Sequence, residues 1–156
     1  MLSVILRDTE SAKLVQLARL QASDPYIGEE FHYLVSWWTE NVHLYHDLGY
    51  FQTWIIHSEG NVAGIIDIQW FCLNGSNPEP LEVPEIGYWV AQEFRGKGLA
   101  TFALKSLIEL YGYPSYQARV YKDNYTSQRV LYKCQFSSIF YNECTEHYLY
   151  QWTRTQ

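Results

Sequence analysis

The chain has 156 residues, a hydrophobic fraction of 47%, an aromatic fraction of 17% and a formal net charge of −6. Length and composition exclude a disordered chain and point to one globular domain over 1–156, large enough to bury a core without staples. The acidic balance gives a nucleic-acid partner no electrostatic help and favours cationic substrates such as amines. Three cysteines, Cys72, Cys134 and Cys144, form no C-x-x-C pair and are odd in number, which fits a reducing cytosol. The start MLSVILRDTESAKL lacks the basic opening, long apolar middle and small-residue cleavage site of a secretion signal. No stretch approaches about eighteen uncharged apolar residues, so no membrane span or membrane partner is expected, and the expected location is the cytoplasm.

In chain order, Leu2 to Leu6 reads as a short strand. A helix capped by Asp8 or Thr9 follows, with Leu14, Leu17 and Ala18 on one face, and it ends before Asp24-Pro25. Phe31, Leu34, Val35, Trp38, Val42 and Tyr45 recur at helical spacing and predict a second helix stopped by Gly49. Phe51 to His57 and Val62 to Phe71 are apolar, β-branched runs joined through Ser58-Glu59-Gly60-Asn61, a hairpin signal. Residues 73 to 84 hold Asn, Gly, Ser and three prolines and read as a surface loop. Glu85 to Ala91 alternates and predicts a strand. After it, Leu99, Phe102, Ala103, Leu107 and Leu110 mark the apolar face of a helix. Tyr116 to Tyr121 predicts a strand, Asn124 to Lys133 a short helix, and Gln135–Tyr141 with Glu146–Thr153 a final hairpin.

The order β-α-α-β-β-β-α-β-α-β-β describes an α/β (α+β) protein with a mostly antiparallel central sheet and about four flanking helices. The helix joining the Glu85 and Tyr116 strands implies one right-handed parallel crossover within that sheet. Between the Glu85 strand and this helix lies Arg95-Gly96-Lys97-Gly98-Leu99-Ala100. A helix start leaves its first N–H groups unpaired, and with the positive end of the dipole they form a phosphate site. Gly96 and Gly98 remove side chains that would block close approach, while Arg95 and Lys97 add charge. The spacing matches neither a nucleotide-triphosphatase loop nor a three-glycine dinucleotide fingerprint. It matches Arg/Gln-x-x-Gly-x-Gly/Ala through Arg95, Gly98 and Ala100. An ordinary glycine turn before an amphipathic helix is the plain alternative.

That pattern resembles the pyrophosphate loop of the GNAT superfamily, the acyl-CoA-dependent N-acyltransferases. The element order is similar to theirs, including a parallel strand pair that splays apart. The segment Asn124-x-x-Ser127-x-Arg129-Val130-Leu131-x-Lys133-x-x-Phe136 resembles N-x-x-S-x-x-V-L-E-K-x-G-F of the ribosomal-protein alanine N-acetyltransferase (Rim-type) branch. Glu85-Ile86-Gly87-Tyr88-Trp89 also resembles that branch.

The resemblance implies acetyl transfer from acetyl-CoA, as co-substrate and without metal, to a primary amine by direct attack in a ternary complex. The acceptor is either a small molecule or a protein N-terminus. By the same resemblance Val90 and Ala91 pair with the pantetheine amides, and the backbone from Arg95 to Ala100 (Arg95, Gly96, Lys97, Gly98, Leu99, Ala100), with Gln92 at its approach, holds the pyrophosphate. Asn124, with Ser127, would contact the pantetheine arm or the amine, although Asn124 also suits an N-cap. A non-catalytic acyl-CoA-binding module with the same fold is the rival class.

The attacking amine must shed a proton, and Glu85 is the first candidate base because it opens the strand leading to the thioester; a strand-end surface charge is its plain alternative. Asp67, in the apolar run Gly64 to Ile68, is the second. The family's thiolate-protonating tyrosine falls at Leu131, and Tyr132 lies roughly 100° further round the helix, leaving an acid or a packing role open to it. Gln135 stands where the family has glycine before Phe136. His43, His46 and Asp47 have i, i+3, i+4 spacing, for which a solvated helix face is weighed against a metal site. With Trp37 or Trp38 they lie on the helix that in the family borders the acceptor cleft. The aromatic C-terminal hairpin is compatible with a homodimer.

Overall fold

The computed structural model describes residues 6–8, 49–74 and 77–155. Within them, strands β1 (Leu6–Asp8), β2 (Phe51–Ser58), β3 (Asn61–Asn74), β4 (Asn77–Val90), β5 (Ser115–Tyr121), β6 (Ser137–Asn142) and β7 (His147–Thr153) hydrogen-bond in the order β1-β2-β3-β4-β5-β7-β6. Two α-helices are described, α1 (Leu99–Tyr111) and α2 (Tyr125–Lys133). The two helices expected between Asp8 and Gly49, with His43, His46, Asp47, Trp37 and Trp38, lie outside the described residues. The chain divides into two compact units, Met1–Asp67 with Tyr88–Leu99, and Ile68–Gly87 with Ala100–Gln156. Strands β3 and β4 each contribute a segment to both.

In the first unit β1 pairs antiparallel with β2, Arg7 opposite Ile55. The β2–β3 turn puts Glu59 at φ 51° and Gly60 at φ 84°, the positive pair that matches hairpin twist. Trp54, Ile55 and Ile56 on β2 and Ala63, Ile65 and Ile66 on β3 are all buried, so both faces of these strands are covered. Gly64 is required by contact, because a Cβ there would run into the Trp89 carbonyl oxygen and lie 2.9 Å from Val90 Cα. Only a glycine lets β3 approach β4 that closely at this point.

The prolines of residues 73 to 84 do not make a loop. Strands β3 and β4 are each 14 residues long, and Pro78, Pro80 and Pro84 lie inside β4. Proline's fixed φ is compatible with extended backbone. The even spacing of these prolines places every missing N–H on one edge of the strand, which leaves the other edge intact.

In the second unit β5 is anchored to β7 by seven antiparallel register pairs, Ser115↔Thr153 through Tyr121↔His147. Its parallel partnership with β4 consists of one, Glu85↔Gln117. Strand β6 pairs with β7 with a bulge between Ser138 and Phe140, a device that blunts an edge. The buried side of α1 is Ala103, Leu104, Leu107 and Ile108, with Leu99 buried at its start. Phe102 and Leu110, expected on that side, are exposed, because the core lies against the 103/104/107/108 ridge. The far end of α1 is closed at the Ile108 carbonyl, which accepts from the Gly112 N–H, the Tyr116 hydroxyl and the Arg154 guanidinium.

Helix α2 starts at Asn124, whose Oδ1 accepts the Ser127 N–H at 3.2 Å. It ends in a Schellman motif, with Phe136 N–H donating to the Leu131 carbonyl and Gln135 N–H to the Tyr132 carbonyl, both at 3.0 Å. Gln135 sits at φ 67° in the position that favours glycine.

Two stability measurements follow from these backbone constraints. Gly64→Ala should cost about 1–3 kcal/mol and lower Tm by roughly 2–10 °C, since backbone must move to admit a methyl. An unchanged Tm would rule out the close approach. Gln135→Gly should instead raise stability by about 0.5–1 kcal/mol, a Tm gain of about 2–3 °C, by relieving the left-handed position. A loss of stability in calorimetry would contradict the motif.

Candidate active site

The chain leaves β4 at Val90, turns through a 3-10 segment at Gln92–Phe94 and enters α1 at Leu99. The turn is pinned by its own side chains. Arg95 Nε donates to the Val90 carbonyl at 2.8 Å, and Lys97 Nζ lies 5.5 Å from the centre of the Phe94 ring. Gly96 and Gly98 both take φ 77°, and among the described residues nothing lies within 4 Å of a Cβ built on either. Glycine is thus dictated here by backbone conformation, and the space above it is open.

The donors of this loop are open too. Among the described residues, no backbone acceptor receives the N–H of Gly96, Lys97 or Gly98. Leu99 and Ala100 are in the first turn of α1, where N–H groups have no intrahelical partner, and that turn holds no acidic residue. Five successive amides leading into a helix N-terminus are a set of donors suited to an oxyanion. The sequence expectation of Arg95 and Lys97 as the added charge meets a more local role. Arg95 braces the loop and Lys97 rests on an aromatic ring.

Val90 and Ala91 are already engaged by protein. Besides the Arg95 contact to Val90, the Ala91 N–H donates to the Ala63 carbonyl at 2.8 Å and the Ala91 carbonyl accepts the Phe94 N–H at 2.9 Å. Each of these carbonyls has a second lone pair. Gln92 is exposed, and its carbonyl accepts the Arg95 N–H at 3.2 Å.

Glu85 is 6% exposed and held by three donors. Arg119 reaches it in bidentate fashion, Nε to Oε1 at 2.9 Å and an Nη to Oε2 at 2.8 Å, and Gln117 Nε2 adds a bond to Oε1 at 3.2 Å. The surface-charge alternative for Glu85 is therefore excluded by burial. These bonds fill three of its roughly four acceptor positions. The Arg119 pKa is raised, chiefly by its hydrogen bonds to Glu85, with burial opposing and the Glu85 charge reinforcing. Sequence reasoning missed both partners. Their signal was the i, i+2 polar pair on the alternating strand Tyr116–Tyr121, which places Gln117 and Arg119 on one face.

Leu131 is fully buried, and the adjacent Tyr132 is 78% exposed. The Schellman end fixes this register, so Tyr132 neither packs into the core nor occupies the Leu131 position. The Asn124 carboxamide oxygen is used as the cap of α2, leaving its NH2 donors. Ser127 is half-buried in the first turn. Asp67 is half-buried on β3 and has interactions of its own. Among the described residues no three His, Cys, Asp or Glu side chains cluster as a metal site, and no helix is long and apolar enough to cross a membrane.

A parallel pair within a mixed sheet and an amide-lined glycine turn into a helix are, among the described residues, the features that the resemblance to acyl-coenzyme A-dependent acyltransferases led one to expect. A family model described as "Acetyltransferase (GNAT) domain" matches residues 4–137, and the chain belongs to that family. It is an acyl-CoA-dependent acetyltransferase. No curated protein sequence matches the chain.

Among solved structures, RimL, a ribosomal L7/L12 α-N-protein acetyltransferase in complex with coenzyme A, is similar at 18% identity and TM-score 0.77, covering 97% of this chain and 94% of that one. RimJ of Mycobacterium smegmatis, in complex with a CoA-disulfide, is 21% identical at TM-score 0.69, covering 97% and 85%. AAC(6')-Ib in complex with ribostamycin and coenzyme A is 20% identical at TM-score 0.77, covering 97% and 94%.

If the loop binds through backbone donors, Gly98→Val should weaken acetyl-CoA binding by at least about tenfold, because a branched residue resists φ 77° and fills the open space. Lys97→Ala should cost less than about threefold. Equal small losses in titration calorimetry would overturn the backbone-donor site.

Proposed function

We propose that this acetyltransferase moves the acetyl group of acetyl-CoA to a primary amine by direct attack in a ternary complex. The observation that carries the reading is the run of open amides from Gly96 to Ala100 at the start of α1. In this reading those amides hold the pyrophosphate, with Gln92 and Arg95 shaping the loop. The second lone pairs of the Val90 and Ala91 carbonyls meet pantetheine amides, and the Asn124 carboxamide, beside Ser127, reaches the pantetheine arm or the incoming amine. A parallel pair with one register position leaves strand edges that a linear amide-bearing ligand can pair with.

The amine nitrogen attacks the thioester carbonyl carbon, a C–N bond forms, the C–S bond breaks, and coenzyme A leaves as the thiolate. We assign the ammonium proton to solvent rather than to Glu85, given the three donors already on that carboxylate. The thiolate likewise takes its proton from water, with Leu131 at the tyrosine position and the Tyr132 ring turned outward. The step as written needs no metal. Three free cysteines support a reducing, cytoplasmic setting. The proposal includes a homodimer through β6 and β7, where Ile139 and Phe140 are 54% and 60% exposed, and sedimentation velocity reads it directly.

The test is turnover of acetyl-CoA, followed as free thiol, with a panel of primary amines. The acceptors named with the similar structures, a ribosomal-protein α-amine and an aminoglycoside, head that panel. Thiol release that depends on one amine supports transfer, and Tyr132→Phe should keep activity within about tenfold. Tight coenzyme binding with no turnover on any amine would favour the binding-only module. A collapse of kcat in Tyr132→Phe, with folding and binding intact, would return the acid role to Tyr132.

A further inference from the structure

We propose that Arg119, acting through Glu85, is a positioning residue that sets the spacing of β4 and β5 at their single rung and so the geometry in which the acyl thioester is held. The inference rests on the acetyl-transfer reading above. Strand β5 is fixed along its whole length by seven pairs to β7, whereas β4 meets it at Glu85↔Gln117 alone. Backbone hydrogen bonds therefore do little to fix the gap between the two strands. The side chains at that rung supply the missing constraint. Glu85 belongs to β4, Gln117 is its register partner on β5, and Arg119 lies two residues further along the same face.

The geometry suits a spacer more than a reacting group. A guanidinium and a carboxylate matched through two parallel bonds of 2.9 and 2.8 Å fix both distance and orientation. The carboxylate is buried, with 8% of its side chain exposed, while 59% of the Arg119 side chain reaches solvent. A lysine in place of Arg119 would keep the charge but supply no planar fork. Small displacements of a reacting carbonyl carry large rate costs, so a pair that fixes this spacing acts on kcat as well as on binding.

Arg119→Met, Arg119→Lys, Glu85→Gln and the double variant Glu85→Gln/Arg119→Met test this. Each is to be measured for folding by circular dichroism, for acetyl-CoA affinity by calorimetry, and for kcat and KM across pH. Arg119→Met should weaken acetyl-CoA binding and lower kcat/KM, each by at least about tenfold. Arg119→Lys should recover part of both. If Arg119→Met strands the buried carboxylate and fails to fold, the double variant removes that charge and should show the same defects in a folded protein.

Glu85→Gln should lower kcat/KM while leaving the acid limb of its pH profile in place, since no proton is assigned to Glu85. Loss of that limb would make Glu85 the base and overturn the positioning role. A folded Arg119→Met or double variant with wild-type affinity, kcat and KM would overturn it as well. Wild-type protein that binds acetyl-CoA but turns over no amine would defeat the transfer reading, and the affinities would still decide the positioning pair. Wild-type protein that binds no acetyl-CoA would defeat both.

Discussion

The fold turns on a parallel strand pair that shares one rung. Parallel strands normally spread their cohesion over a ladder, and here that ladder is reduced to Glu85↔Gln117. What the backbone does not supply, the side chains do, through a buried carboxylate held by a guanidinium and a carboxamide. Such a pair adds little net stability compared with an apolar replacement. Removing Arg119 alone, however, leaves the Glu85 carboxylate buried with only Gln117 to bond it, which is destabilising. Its contribution is geometric, because it fixes where two strands stand without filling the space that a ladder would occupy.

The glycine loop follows the same logic of keeping backbone groups available. Its two cationic side chains are folded onto the protein, Arg95 onto the Val90 carbonyl and Lys97 over Phe94. The anion site proposed for this loop therefore consists of amides rather than of flexible charge. Amides fixed at a helix start lose little freedom when an oxyanion arrives, and they are aimed by a backbone that only glycine adopts easily at φ 77°.

At the other end of the family pattern, α2 shows how a departure in sequence is absorbed. Gln135 replaces the expected glycine, yet the helix closes in a complete Schellman motif at the expense of a left-handed glutamine. Because the end holds, the register holds, and Leu131 points into the core while Tyr132 faces solvent.

The sequence by itself determined the order of the elements from β2 to β7, the hairpin at Glu59-Gly60, the glycine loop into α1 and the Asn124 cap. Each depends on contacts between residues near in the chain, such as period, capping and positive φ, which local residue types govern. The proline-rich stretch misled because loop composition and an exposed extended strand use the same residues. The apolar face of α1 shifted because the Ala103–Leu107 stripe can be widened on one side by Phe102 or on the other by Leu104 and Ile108, and only the neighbouring elements decide which side is covered. The partners of Glu85 and the need for glycine at Gly64 were set by tertiary structure alone. Arg119 is 34 residues from Glu85, and Trp89 meets Gly64 only because β3 and β4 lie side by side. No local pattern encodes such meetings, since they exist only once distant segments have packed.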